Sequence, residues 1–127
     1  MYLDDDTVDE LPAPPRKHIP AADRELLELA ARAIAVVRVE DVDGEQWLIL
    51  HFADGTVVHG WNPLLFYGDT FELGARLRIG TDHSKFCVHA CDDHGNDLAT
   101  EDVASDRVAA SARAVVRAAA EIGKAMP

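Results

Sequence analysis

Apolar residues recur along this chain first at helical and then at strand spacing. From Asp23 onward, Leu26, Leu27, Ala30, Ala33 and Ile34 fall three and four apart, on one face of a helix predicted over about Ala21 to Ala33. Ala35 to Val39 is β-branched and reads as a strand. Asp41-Val42-Asp43-Gly44 then turns into a second strand, Gln46 to Phe52. There Trp47, Leu48, Ile49 and Leu50 are all apolar, so both faces should be buried, either by helices on both sides or by a second subunit. Asp54-Gly55 is a two-residue hairpin signal leading into a third strand, Thr56 to His59.

Asn62-Pro63 has the form of a helix start, with Asn as N-cap and Pro at the first helical position. Gly68 interrupts that turn, and Asp69 with Glu72 three residues on resembles a capping box for a helix. Its apolar set is Phe71, Leu73, Ala75, Leu77 and Ile79, with Gly80 as the stop. Lys85 to Cys91 alternates as a strand, and Asp93-His94-Gly95-Asn96 is a turn. The longest helix spans about Val103 to Ala125 with a stripe of Val108, Ala112, Val115, Ala119 and Ile122, whose alanines allow close approach to the sheet. The expected class is α+β: an antiparallel sheet of about four strands with helices packed on it.

A length of 127 residues suits one domain, predicted over residues 21–127. Residues 1–20 hold four of the six prolines and an acidic cluster, and are expected to form a flexible tail. Two cysteines are too few for a disulfide framework. Met1-Tyr2-Leu3-Asp4-Asp5-Asp6 is unlike a signal peptide, and no apolar run has the roughly 20 residues of a membrane span. A cytoplasmic protein with no membrane contact is the expectation.

The net charge of −11 makes direct nucleic-acid binding unexpected for the body of the protein. That charge is unevenly placed. Residues 39–106 carry fourteen acids against Arg76, Arg78 and Lys85, whereas residues 107–127 carry Arg107, Arg113, Arg117 and Lys124 against Glu121. An acidic body can mimic DNA, but Asp41, Asp43, Asp54, Asp92, Asp93 and Asp97 are placed as turn residues, which favours local hydrogen bonding.

Three constellations bear on chemistry. His83, Cys87, His89, Cys91 and His94 fall within twelve residues, and Cys87, His89 and Cys91 would share a strand face. Thiolate and imidazole suit zinc, yet alternate strand positions stand about 7 Å apart and match no zinc module, so no metal site is predicted. His51 and His59 would face each other across the hairpin, near Asp69 or Glu72, but no nucleophile motif accompanies them. Arg113, Arg117 and Glu121 lie four apart on one helix face, to bind an anion or to pair with the acidic middle of the chain. No catalytic residue and no cofactor are predicted. The binding or interface candidates are Trp61, Asn62, Tyr67, Asp69, Arg113 and Arg117. For Asn62 and Asp69, helix capping is the competing role.

Trp61-Asn62-Pro63-Leu64, then Gly68-Asp69, Leu73 and Leu77, resembles the central motif of small phage and prophage proteins, whose usual form is close to W-N-P-L followed by G-D-A-L-x-L-A-x-x-L. Ala112 to Gly123 is similar to their closing helix, and Glu25 to Ala31 fits their opening. The resemblance covers about residues 22–126 and is to the uncharacterised NinX-like group and the phage ABA sandwich domain. This chain departs from the pattern at Leu65-Phe66-Tyr67, where polar or acidic residues are usual, and at Glu72 and Gly74. The resemblance implies phage or prophage ancestry and an α/β/α sandwich, with no activity attached. The functional expectation is a phage-derived accessory protein of a bacterial host cell, acting through contacts with an unidentified protein partner or as a homo-oligomer. The alternatives are a small-ligand or anion-binding module, or an acidic nucleic-acid mimic.

Overall fold

The computed structural model describes residues 17–127. Residues 1–16, most of the expected tail, lie outside them. Lys17 to Pro20 belongs to the folded body: Ile19 is buried, and its N–H donates to the Gln46 carbonyl at 2.8 Å.

The amphipathic opening segment forms a single 3-10 turn at Ala21–Asp23 and helix α1 at Arg24–Arg32, which buries Leu27, Ala30 and Ala31. Strands β1 (Val36–Val42) and β2 (Glu45–His51) follow, antiparallel with Val42 opposite Glu45. Asp43 and Gly44 make the turn between them, both at positive φ as the right-handed twist of a tight hairpin requires. β3 (Val57–His59) completes a sheet of order β1-β2-β3. Its hairpin is one residue longer than Asp54-Gly55 predicts, because Phe52 pairs with Thr56 and leaves Ala53 in the loop. Asp54 accepts from the Thr56 N–H at 2.9 Å, the local hydrogen bonding that favours Asp in turns.

Helix α2 spans Tyr67–Leu77. Gly68 therefore lies inside the helix, and the stop is Arg78 in the left-handed conformation, not Gly80. Gly80 instead opens β4 (Gly80–His83), which pairs with β5 (Cys87–Cys91), itself paired with β6 (Asp97–Asp102). The six strands among the described residues thus form two three-stranded antiparallel sheets, where the sequence predicts about four strands in one. Neither β4 nor β6 carries the apolar alternation that marks a half-buried strand: β4 is exposed throughout, and Ala99 is the single buried residue of β6.

Helix α3 (Arg107–Ala125) begins at Asp106, whose carboxylate accepts from the N–H groups of Val108 and Ala109. It buries more than a stripe: Ala110, Ala112, Ala114, Val115, Val116, Ala118, Ala119, Ala120 and Gly123 are all enclosed, because α1 lies on one side and β5 and β6 on another. Val108, predicted as core, is exposed in the first turn. The small side chains serve the approach of α1 as well as the sheet: a methyl group on Gly123 would stand 1.9 Å from the Leu29 carbonyl oxygen. One contiguous core joins Leu48, Leu50 and Trp61 to Val88, Ala90 and the α1–α3 contact. Of the apolar run, Leu48, Ile49 and Leu50 are buried within one chain and Trp47 is half-buried, with Ile49 beside Arg38 and His59 on the neighbouring strands.

Candidate functional site

Asn62 organises a densely connected polar cluster, and it starts no α-helix. Its side-chain oxygen accepts from the Leu64 N–H at 3.1 Å, and its carbonyl accepts from Leu65 and Phe66, closing a turn over Pro63–Leu65. Its amide donates to the His18 carbonyl at 3.2 Å, and its backbone N–H donates to Asp69 at 3.1 Å. Asp69 also holds Lys17 at 3.1 Å, and the Lys17 ammonium lies 5.0 Å from the Phe66 ring centre. Asp69 is thus the third residue of α2, with Phe66 at the cap position. It reaches back as a capping-box acid would, past the cap to Asn62. The Thr70 hydroxyl donates to the Pro63 carbonyl. These bonds rivet the loop before α2 to the start of the domain.

Two of the candidates are buried there. Trp61 and Asn62 are enclosed, and the Trp61 indole N–H has no hydrogen-bond partner among the described residues. Trp47 packs over Gly60, which sits at φ 89°; a methyl group there would come within 2.9 Å of the Trp47 ring, so only glycine fits. Asn62 spends its donor and acceptor on the backbone, which makes it a structural fastener.

The outer side of the same corner differs. Leu65 is 66%, Tyr67 45% and Phe71 79% exposed. The apolar spacing places Phe71 inward with Leu73 and Leu77, and the structure places it outward. Two residues of helix rotate a side chain by about 200°, so Phe71 and Leu73 point to opposite sides. Leu73, Gly74, Leu77 and Ile79 meet the core, whereas Tyr67 and Phe71, one turn apart, share the outer face. Between α2, Val115 and the start of β4 lies a shallow groove lined by Phe71, Ala75 and Ile79.

Arg113 and Arg117 converge on Glu101 of β6. Arg113 Nε donates to Glu101 Oε1 at 3.1 Å, Arg117 donates to the other carboxylate oxygen, and Arg117 also donates to the Thr100 carbonyl at 3.0 Å. Burial pushes the Glu101 carboxyl up, but Arg117 and Arg113 together outweigh it and hold it below its ordinary value. Of the two readings open for these arginines, pairing with the acidic middle of the chain is the one the geometry shows. The four-residue spacing of the arginines calls for a carboxylate, but with fourteen acids in that region it does not single out Glu101.

Cys87, His89 and Cys91 share the outer face of β5, opposite Asp102, Thr100 and Asp97. His89 Nδ1 is 2.9 Å from the Thr100 hydroxyl. The Cys91 thiol is pushed up, first by its hydrogen bond to Asp97 and then by burial, which disfavours the reactive thiolate. Among the described residues no three His, Cys, Asp or Glu side chains are grouped to hold a metal ion. His51 and His59 are not opposite each other, since His51 pairs with Val57 and Ile49 with His59. Lys17 carries no signal of its role in the sequence, because it lies in the proline-rich segment and nothing local marks its pairing with a residue 52 positions away.

No helix among the described residues is long and apolar enough to cross a membrane. No family model matches the chain, and no curated protein or solved structure matches it either.

Proposed function

We propose that this chain is a non-catalytic accessory protein of phage or prophage origin, related to the NinX-like and ABA sandwich proteins, that works in the bacterial cytoplasm by holding another protein. The observation that carries the reading is the corner before α2. Leu65, Tyr67 and Phe71 present large apolar surface to water, on backbone fixed from beneath by Asn62, Asp69 and Lys17. Aromatic side chains on a rigid element are effective anchors, because little conformational entropy is lost when they are covered. Two of the three residues by which this chain departs from the usual phage pattern before Gly68-Asp69, Leu65 and Tyr67, lie in this patch, which suits a partner particular to it. An anion-binding role draws no support from Arg113 and Arg117, whose guanidinium groups are engaged by Glu101.

A photo-crosslinking amino acid at position 71, in phage-infected or prophage-induced cells, tests this. A discrete protein adduct is expected at 71 and not at exposed Glu25 on α1. The same adducts at both positions, or none at 71, would overturn it.

A further inference from the structure

The outer edge of β1 is the longest unpaired strand edge among the described residues. β1 runs seven residues beside β2 with no bulge and no proline. The tight turn at Asp43-Gly44 makes Val42 and Glu45 a hydrogen-bonded pair, so Val36, Arg38, Glu40 and Val42 direct their backbone groups to β2. The backbone N–H and C=O of Val37, Val39 and Asp41 consequently point away from the sheet. The Gly60 N–H bond to the Leu48 carbonyl confirms this phase from the other side of β2. Edges of this kind are usually interrupted or covered, since they template pairing with another chain.

We infer that β1 pairs with β1 of a second copy of this chain, antiparallel across a two-fold axis at Val39, joining the two β1-β2-β3 sheets into one of six strands. The exposed face of the strand is self-complementary about that point, while on the other face Val37 stands opposite Asp41 of the second copy. In this register Val36 faces Val42 of the other copy, and Arg38 faces Glu40, twice over. Val39 meets itself through outward-pointing backbone groups. Arg38, Glu40 and Val36 lie on the exposed face, Val36 at 72%, so these pairs form without disturbing the core. Within one chain Arg38 and Glu40 are only 3.9 Å apart and weakly paired. Neighbouring two-fold registers fail on charge. Centring on Arg38, Glu40 or Asp41 sets like charges opposite each other, and centring on Val37 separates Arg38 from Glu40. Like charges directly opposite are destabilising in a sheet. This pairing does not depend on the α2 corner, which Arg38 and Glu40 do not adjoin in the sheet.

Sedimentation of the full chain from about 1 µM to about 200 µM tests the pairing across the range of weak to moderate dimers. The expected species is a dimer. Arg38→Glu sets two carboxylates opposite each other on both sides of the axis, the new one against Glu40, and Glu40→Arg does the same with arginines. Each single variant should weaken the dimer at least roughly tenfold, while its unfolding stays as in wild type when both are measured at a concentration where wild type is monomeric. The double variant Arg38→Glu/Glu40→Arg restores unlike pairs and should dimerise again, and an equimolar mixture of the two single variants should form a mixed dimer. A monomeric wild type over the whole range, single variants as tight as wild type, or a double variant as weak as the singles would each overturn the inference. Tyr67→Ser and Phe71→Ser should leave the dimer intact; if they abolish it, the contact lies at the α2 corner and not at β1.

Discussion

Gly123 is where α3 depends on having no side chain. An alanine Cβ there would lie 1.9 Å from the Leu29 carbonyl oxygen, 3.0 Å from the Leu29 carbonyl carbon and 3.3 Å from the Ala33 nitrogen. A carbon normally approaches a carbonyl oxygen to about 3.3 Å, so α1 and α3 would have to part by roughly 1.4 Å. The obstacle is backbone within and just after α1, which cannot rotate aside as a side chain would. Parting the helices loosens the contact that encloses Leu27, Ala30, Ala31, Ala119 and Ala120, all fully or almost fully buried. In an open helix Gly→Ala gains up to about 1 kcal/mol. Overpacking of a filled core costs about 1–3 kcal/mol. With rigid backbone as the obstacle the cost lies at the upper end, and Gly123→Ala should lose about 1–2 kcal/mol net. Urea unfolding followed by far-UV circular dichroism measures this, and a fall in Tm of about 3–8 °C should accompany it. Gly68→Ala is the control, since nothing lies within 4 Å of the added methyl in the first turn of α2, and it should be neutral or stabilising. Gly123→Ala at wild-type stability or above would refute the close α1–α3 contact.

Arg113→Ala and Arg117→Ala should each cost about 1 kcal/mol, because each leaves the other to compensate Glu101; the double variant should lose more than their sum. The Glu101 carboxyl is lowered in the folded state, so its contribution is present above the ordinary value of 4.5 and is lost as pH falls through the folded pKa. The stability gap between wild type and Glu101→Gln should therefore be full above pH 4.5 and narrow below it; a gap that widens on acidification would contradict the pairing. Asn62→Ala strands the Leu64 N–H and the His18 carbonyl and should cost about 1–3 kcal/mol, while Asn62→Asp keeps the acceptor but adds charge at a fully buried position and should cost at least as much. Wild-type unfolding curves for both variants would show that the turn does not depend on Asn62.

Much of the scaffold is legible in the residues alone. The three-and-four spacing of Leu26, Leu27 and Ala30, the β-branched run at 36–39, the unbroken apolar run at 47–50 and the alanine-rich closing segment each register which faces must leave water. The pairing of Arg113 and Arg117 with the acidic middle is likewise foreshadowed by the charge distribution, and Trp61, Asn62 and Asp69 are recognisable as a group. What periodicity leaves open is the neighbour on the far side of each face. Gly80–His83 and Asp97–Asp102 become strands because β5 offers each of them backbone partners, a demand that leaves little apolar trace in polar segments. Phe71 turns outward because Leu73 and Leu77 set the rotation of α2 against the core. Asn62 becomes a fastener because His18 and Asp69, 44 and 7 residues away, arrive beside it. Gly123 matters because a carbonyl of another helix occupies the place of its side chain. A sequence records the solvent preference of each side chain, which marks the strongly patterned elements and most of their buried faces. The identity of the contact is set by the distance between chain segments far apart in sequence, and only tertiary packing determines that.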